Sequence, residues 1–417
     1  MRLPIKYHYS YFILPFIINQ NNYNEYLKNI INKGCFKKIN FSKKNNANLY
    51  ITFSKNLTSN LLSGNSNNKH NSKDLLENIK NNNLNVFEYN NPASLVGVLD
   101  FEKDENTIYF DLQNIKLYIF KNGVCFLVLK TNITSQNFED VLDFNYRFKE
   151  VISNLNNLNK FQTIKLSDSK HDSLTSFKDF IESLIDVDLN KISDYTNMEN
   201  FYTFSYTCLE NSVWNEKTDE NILTNIIQKY MKVYSSSYNA DVALVGADIK
   251  SEYEYRKIGL TKVSSNLLCS GIDPYNFGYL PVEYETTYLF SYILALFYKI
   301  SLNFFDKRLF NLKDNDKASF KKIVKDLNDF NKNFWSVDIT NSQRMTVYFN
   351  GLIKILNLNN LYLSIITKIN LIYKENKIEE NSTNIKRLTI FIFTILIIYI
   401  IFKIGGWKWK YILEQIY

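Results

Sequence analysis

Histidine, cysteine, glycine, proline and arginine are all scarce in this 417-residue chain, which has 3 His, 4 Cys, 11 Gly, 5 Pro and six Arg. Each scarcity removes a class of chemistry. His8, His70 and His171 have no metal-ligand spacing with one another or with cysteine, which argues against a zinc centre. Cys35, Cys125, Cys208 and Cys269 are far apart with no CxxC pair, so they read as reduced, buried side chains of a cytosolic domain. The glycines form neither a phosphate-cradling loop nor a Gly-x-Ser-x-Gly elbow. The acidic stretches Asp100–Glu105 and Glu216–Glu220 read as solvated faces, and the expectation is that the chain is not an enzyme.

A formal charge of +7 would ordinarily raise nucleic acid as a partner. Here Asn, Ile, Lys, Tyr and Phe are abundant while Gly, Pro and Ala are rare, the signature of an AT-rich coding sequence that loads a surface with lysine. No Lys/Arg-rich block or nucleic-acid module accompanies the charge, so no direct nucleic-acid contact is expected. The early apolar stretch within Ile5–Ile18 carries Pro15 and is followed by no small-residue cleavage site, unlike a signal peptide.

What is present is a run of fifteen uncharged residues, Leu388 to Phe402. With Lys403 and the following Ile-Gly-Gly-Trp it reaches the roughly 20 residues a helix needs to cross hydrocarbon. Lys386 and Arg387 precede it, and Trp407, Lys408, Trp409 and Lys410 follow, the residue types favoured at headgroup level. The sequence therefore predicts one transmembrane helix over 388–407 and a short basic-aromatic tail over 408–417. The large N-terminal part is expected to stay in the cytoplasm of a single-pass cell-membrane protein.

Ahead of that helix the chain reads as α/β. Runs 107–112 and 115–120, then Asn122-Gly123, then 124–129, predict a β-hairpin. Phe138, Val141, Leu142, Asn145, Phe148, Val151 and Ile152 fall on one helical face. Alternating strands and helices predict a cytosolic α/β domain over 1–275, bounded by the turn-rich Ser270–Gly278. A helical region over 276–387 follows, with patterns at 282–305, 314–333 and from Ser342 onward. In the last, Met345, Tyr348, Leu352, Ile355, Asn359, Tyr362, Ile366, Ile369 and Tyr373 alternate in steps of three and four. That is either a coiled-coil stalk seam, with Asn359 setting register and oligomer state, or an amphipathic helix on its own domain.

An α/β domain followed by three helices, the last running into the membrane, resembles the CorA-like divalent-cation transporters. Asn384-Ile385-Lys386-Arg387-Leu388-Thr389-Ile390 resembles the stretch with which that family's stalk enters the bilayer. The family's Gly-Met-Asn signature would fall at Gly405–Gly406, where this chain has Gly406-Trp407-Lys408, lacking the Met and the Asn. A lysine there repels a cation, and the family's second membrane helix does not follow within the given sequence. Thr389, Thr394 and Tyr399 are the polar side chains between Arg387 and Lys403 that a path through the bilayer would have.

The resemblance therefore implies a homo-oligomeric, ligand-gated membrane effector or channel-like protein of antiviral defence, not a housekeeping Mg²⁺ transporter. It implies a nucleotide second messenger as ligand and leaves regulatory Mg²⁺ open, with no metal ligands assigned. Arg147 with Tyr146 and Phe148, and Arg256 with Tyr253, Tyr255 and Lys257, are the candidate contacts, because Arg and aromatic faces suit phosphate and base. The alternative is a tail-anchored cytosolic binding or scaffold protein without a pore.

Overall fold

Strand β1 (Ile5–Ile17) alternates two sets of large side chains. Tyr9, Tyr11 and Ile13 point into one core, and Phe12, Leu14 and Phe16 point into another. A strand buried on both faces belongs in the middle of a sheet with helices on each side. A computed structural model of the chain describes residues 3–41, 46–62, 79–90, 95–101, 107–150, 162–168, 171–189, 200–238, 247–313, 316–336, 339–375 and 386–394. It is an α/β fold, with a mixed sheet at the N-terminal end and a helical region after it.

Among the described residues the sheet holds twelve strands. They are β1, β2 (Phe36–Ile39), β3 (Leu84–Tyr89), β4 (Leu95–Phe101), β5 (Ile108–Phe120), β6 (Val124–Ile133), β7 (Gln162–Asp168), β8 (His171–Ser176), β9 (Tyr202–Leu209), β10 (Ala247–Tyr253), β11 (Arg256–Thr261) and β12 (Ser264–Ser270). The order is β10-β11-β12-β9-β1-β6-β5-β4-β7-β8, with β2 and β3 attached to β5 through β3. Among the described residues only β12 and β9 pair in parallel. Pro15 fits near the centre of this sheet because β9 stops pairing with β1 at Ile13. Past that point β1 has one partner, β6, and a missing N–H is tolerated at such an edge.

The hairpin is β5–β6, joined by Lys121, Asn122 and Gly123. Gly123 has φ +92°, and a Cβ there would come within 2.5 Å of the Ile18 carbonyl oxygen. The two runs read at 107–112 and 115–120 are one strand, with a register shift between Leu112 and Asn114.

One face of the sheet is covered by α1 (Tyr23–Asn32), α2 (Phe138–Lys149), α3 (Phe177–Ile185) and α4 (Glu220–Lys232). On α2 the residues Phe138, Val141, Leu142, Asn145 and Phe148 are buried as the periodicity requires, while Val151 and Ile152 lie outside the described residues. Asn137 caps this helix by accepting from Glu139 N, as an N-cap residue does.

The other face carries the helical region. A rod from Leu280 to Phe310 begins with a short helix and a π-helical turn, Tyr284–Tyr288, and continues as α5 (Leu289–Phe310). α6 (Lys317–Asn333) and α7 (Gln343–Ile355) pack against it. The ring of Phe297 stacks on Phe120 of the hairpin at 3.8 Å, and Phe204 stacks on Tyr284 at 4.3 Å. Sheet and helical layer share one continuous core.

The stalk seam is not a free seam. Met345, Tyr348 and Leu352 are buried in the protein's own core. The helix stops after Ile355, and Asn357 takes a left-handed φ of 57°, a conformation that asparagine tolerates. It restarts as α8, residues 358–375. Past the break Leu358 and Ile365 are fully buried, and Leu361, Tyr362, Ile366, Ile369 and Ile372 pack on the same core. Asn359, expected inside the seam, is exposed, and Tyr373 is 60% exposed. The residues from 376 to 385, which link α8 to the apolar run from Leu388, lie outside the described residues.

Candidate functional site

Of the two clusters expected to bind a ligand, neither forms an open site. Tyr146, Arg147 and Phe148 are consecutive on α2, and successive helical residues point in diverging directions. Phe148 is fully buried, stacked on Phe12 at 4.1 Å and edge-on to Phe110 at 5.5 Å. Tyr146 and Arg147 are half-buried. Lys149 Nζ lies 5.2 Å from the Tyr146 ring, and burial, then the charge of Glu150, raises the Tyr146 phenol.

Arg256 is 2% exposed. Its Nε and Nη2 donate to Asn276 Oδ1 at 3.0 and 2.7 Å, and its Nη2 lies 3.5 Å from Asp273. The Tyr275 ring is 5.0 Å from the guanidinium. Asn276 in turn donates to the Ser270 carbonyl at 2.8 Å, and Tyr206 OH donates to the Asn276 carbonyl. The arginine and its aromatic neighbour are thus internal parts, fastening turn 273–278 to the sheet. Tyr255 lies in the turn between β10 and β11, its ring edge-on to Trp214 at 6.4 Å, and Lys257 is half-buried. Tyr253 sits opposite Arg256 in the β10–β11 register.

A polar cluster not expected from the sequence lies beneath the π-helical turn. Lys130 Nζ is 2.8 Å from both carboxylate oxygens of Glu285, Tyr11 OH donates to Glu285 Oε1 at 2.6 Å, and Tyr9 OH donates to the Pro281 carbonyl at 2.7 Å. The Lys130 ammonium also lies 4.9 Å from the Tyr9 ring. Burial raises both phenols, reinforced by the charge of Glu285. The sequence signal was available: Phe126, Val128 and Lys130 share one face of β6, so the lysine falls on a core-facing position. With the carboxylate already holding an ammonium and a phenol, the cluster offers no spare base and acts as a clamp between sheet and helix.

His8 also lies in the body of the fold. Its Nε2 accepts from Ile133 N at 3.3 Å, and burial lowers its pKa to about 4. Among the described residues no group of three His, Cys, Asp or Glu side chains is placed to hold a metal ion.

Three cavities lie near the two ends of β1. At its start an open basin of about 1140 Å³ is lined by Leu3, Pro4, Tyr109, Ser135, Asn137 and Glu139 among others. Its described lining contains no lysine or arginine, which suits neither phosphate nor nucleotide. At the far end two adjoining clefts of about 510 and 370 Å³ share Phe304, Arg308 and Lys322.

The residues of the expected membrane helix fall partly within the described residues. Leu388, Thr389 and Thr394 lie on a helix spanning 386–394. Asn384, Tyr399, Gly406, Trp407 and Lys408 lie outside the described residues. Along the helix Leu388, Ile390, Phe391, Ile392 and Phe393 are 51–66% exposed. Thr394 Oγ1 donates to the Ile390 carbonyl at 2.8 Å, so its hydroxyl is satisfied within the helix. Among the described residues one helix, the rod Leu280–Phe310, is long and apolar enough to span a bilayer, and its most apolar window is 83% buried. Comparison with protein-family models and with curated proteins finds no match.

Proposed function

We propose that this chain is a membrane-anchored binding or scaffold protein, its α/β and helical body held at the cytoplasmic face of a bilayer by the apolar helix that begins at Leu388. The observation that carries this reading is the contrast between its two apolar helices. One is sealed in the core, whereas the other presents a continuous row of large apolar side chains. At about 25 cal/mol per Å² such a row is strongly disfavoured in water and favoured in hydrocarbon.

The anchor is favoured over an oligomeric, nucleotide-gated CorA-like effector by two features of the body. The face that would zip helices between subunits is filled by the chain's own core. Of the arginines expected to take a phosphate, Arg256 is engaged within the fold and Arg147 faces no cavity described above. Expression of the full chain, and of a form lacking Leu388 to Tyr417, with a membrane-potential dye and membrane fractionation tests the choice. The full chain is expected in the membrane fraction with potential intact, and the truncated form in the soluble fraction. Loss of potential that requires 388–417 overturns the anchor in favour of the effector.

A further inference from the structure

The chain leaves its folded body at a basic, aromatic end. Asp306 of α5 pairs with Lys368 of α8, and Trp335, which touches Tyr298 of α5 at 4.9 Å, stacks on Tyr362 of α8 at 5.0 Å. The two helices therefore run in the same direction, and the last described turn of α8 lies level with Phe310 and the α5–α6 connection. Phe310 is 83% exposed there, and Leu371 and Tyr373 are 55% and 60% exposed.

Charge gathers at the same end. Residues 307–325 contain seven cations, Lys307, Arg308, Lys313, Lys317, Lys321, Lys322 and Lys325, against two anions, Asp314 and Asp316. That is five of the chain's seven net positive charges in nineteen residues. Lys313, Lys317, Lys321 and Lys322 are exposed. Of the described carboxylates near this end, Asp326 pairs with Arg308 at 2.7 Å, Asp306 pairs with Lys368 and Asp316 caps α6 on Ser319 N at 3.0 Å, while Glu375 in the last described turn of α8 is exposed. Lys322 and Arg308 line both clefts beside the 17–21 turn.

Twelve residues, 376–387, separate α8 from Leu388. Whatever their conformation, they reach no further than about 42 Å, and about 18 Å as a helix. On the anchored reading, the end that carries the lysines and Phe310 is thereby kept within about 42 Å of the bilayer.

We propose that this end is a lipid-binding surface. Lys313, Lys317 and Lys322 contact anionic headgroups while Phe310 enters the interface, so that the body is held down on the membrane and not merely tethered to it. Basic side chains near a negative leaflet and an aromatic at headgroup depth are the two components of such contacts. A second copy of the chain is a poor occupant, because its own basic end would repel this one. The inference rests on the anchored reading above.

The test uses the full chain in a Cys35→Ser background, since the other three cysteines are buried. A fluorophore is placed at Phe310→Cys, at Ile392→Cys, or at Thr134→Cys beside the distal basin. The protein is reconstituted into vesicles of brominated phosphatidylcholine, with or without roughly a third phosphatidylglycerol. The Ile392 label should be quenched in both. The Phe310 label should be quenched roughly twofold more in the anionic vesicles, an excess that Lys313→Glu with Lys317→Glu and Lys322→Glu removes. The Thr134 label should stay bright. A Phe310 label no more quenched than Thr134, with Ile392 quenched, overturns the lipid surface and leaves the anchor standing. An unquenched Ile392 label overturns both. If inorganic phosphate or a short RNA at matched ionic strength abolishes the excess, the surface takes a soluble anion, and the lipid assignment is wrong.

Discussion

Acidification should loosen this protein through one side chain, His8. Near the start of β1 the paired register with β6 ends at Ser10 and Thr131. The His8 imidazole takes over as acceptor for Ile133 N at 3.3 Å. A protonated ring has no lone pair to accept with, and its charge would sit in a site that is 9% exposed. Burial accordingly lowers its pKa from 6.5 to about 4. Between these values the unfolded chain holds a proton that the folded chain excludes, so stability is complete above pH 6.5 and falls as pH drops toward 4. At about 1.4 kcal/mol per pH unit the full loss is about 3 kcal/mol, and by pH 4.5 it is about 2 kcal/mol. Urea unfolding of the full chain in detergent between pH 7 and 4.5, compared with His8→Gln, isolates this contribution because all other groups are common to both. The wild-type curve should be steeper by about 2 kcal/mol over that range. Superimposable pH profiles would refute the reasoning.

Phe297→Ala should destabilise by about 3–5 kcal/mol, because it removes a fully buried ring stacked on Phe120 where the helical layer meets the hairpin; a shift in the denaturant midpoint at unchanged slope would show it. Lys130→Met and Glu285→Gln should each cost about 1–3 kcal/mol, less than a fully buried pair because their side chains remain 14% and 27% exposed. The double variant should cost less than the sum, and strict additivity in that cycle would contradict the clamp.

Local rules carried much of the fold. Asn122-Gly123 between β-branched runs placed the hairpin, and a 3.6-residue period placed the buried face of α2. The α/β class followed from alternation alone. What sequence could not supply was the partner of each face. Met345, Tyr348 and Leu352 have the spacing of an intermolecular seam, but a spacing states only that a face is apolar, not whose core fills it. The break at Asn357 is invisible to a period count, since a spacing does not announce a residue in the left-handed conformation. In sequence Arg256 reads as a contact for a phosphate, because Asn276 and Asp273 are brought to it only by the turn that it holds. Lys130 and Glu285 are 155 residues apart, and nothing short of the sheet–helix docking joins them.

The order of elements along the chain has a consequence for its synthesis. A ribosome completes all twelve strands before it releases the rod Leu280–Phe310. The rod would suit a membrane-insertion channel by length, but it emerges when the aromatic surface that receives it is already made, and domains fold as they are synthesised. The apolar run from Leu388 emerges only after that surface is occupied. Chain order thereby gives the rod first claim on the core.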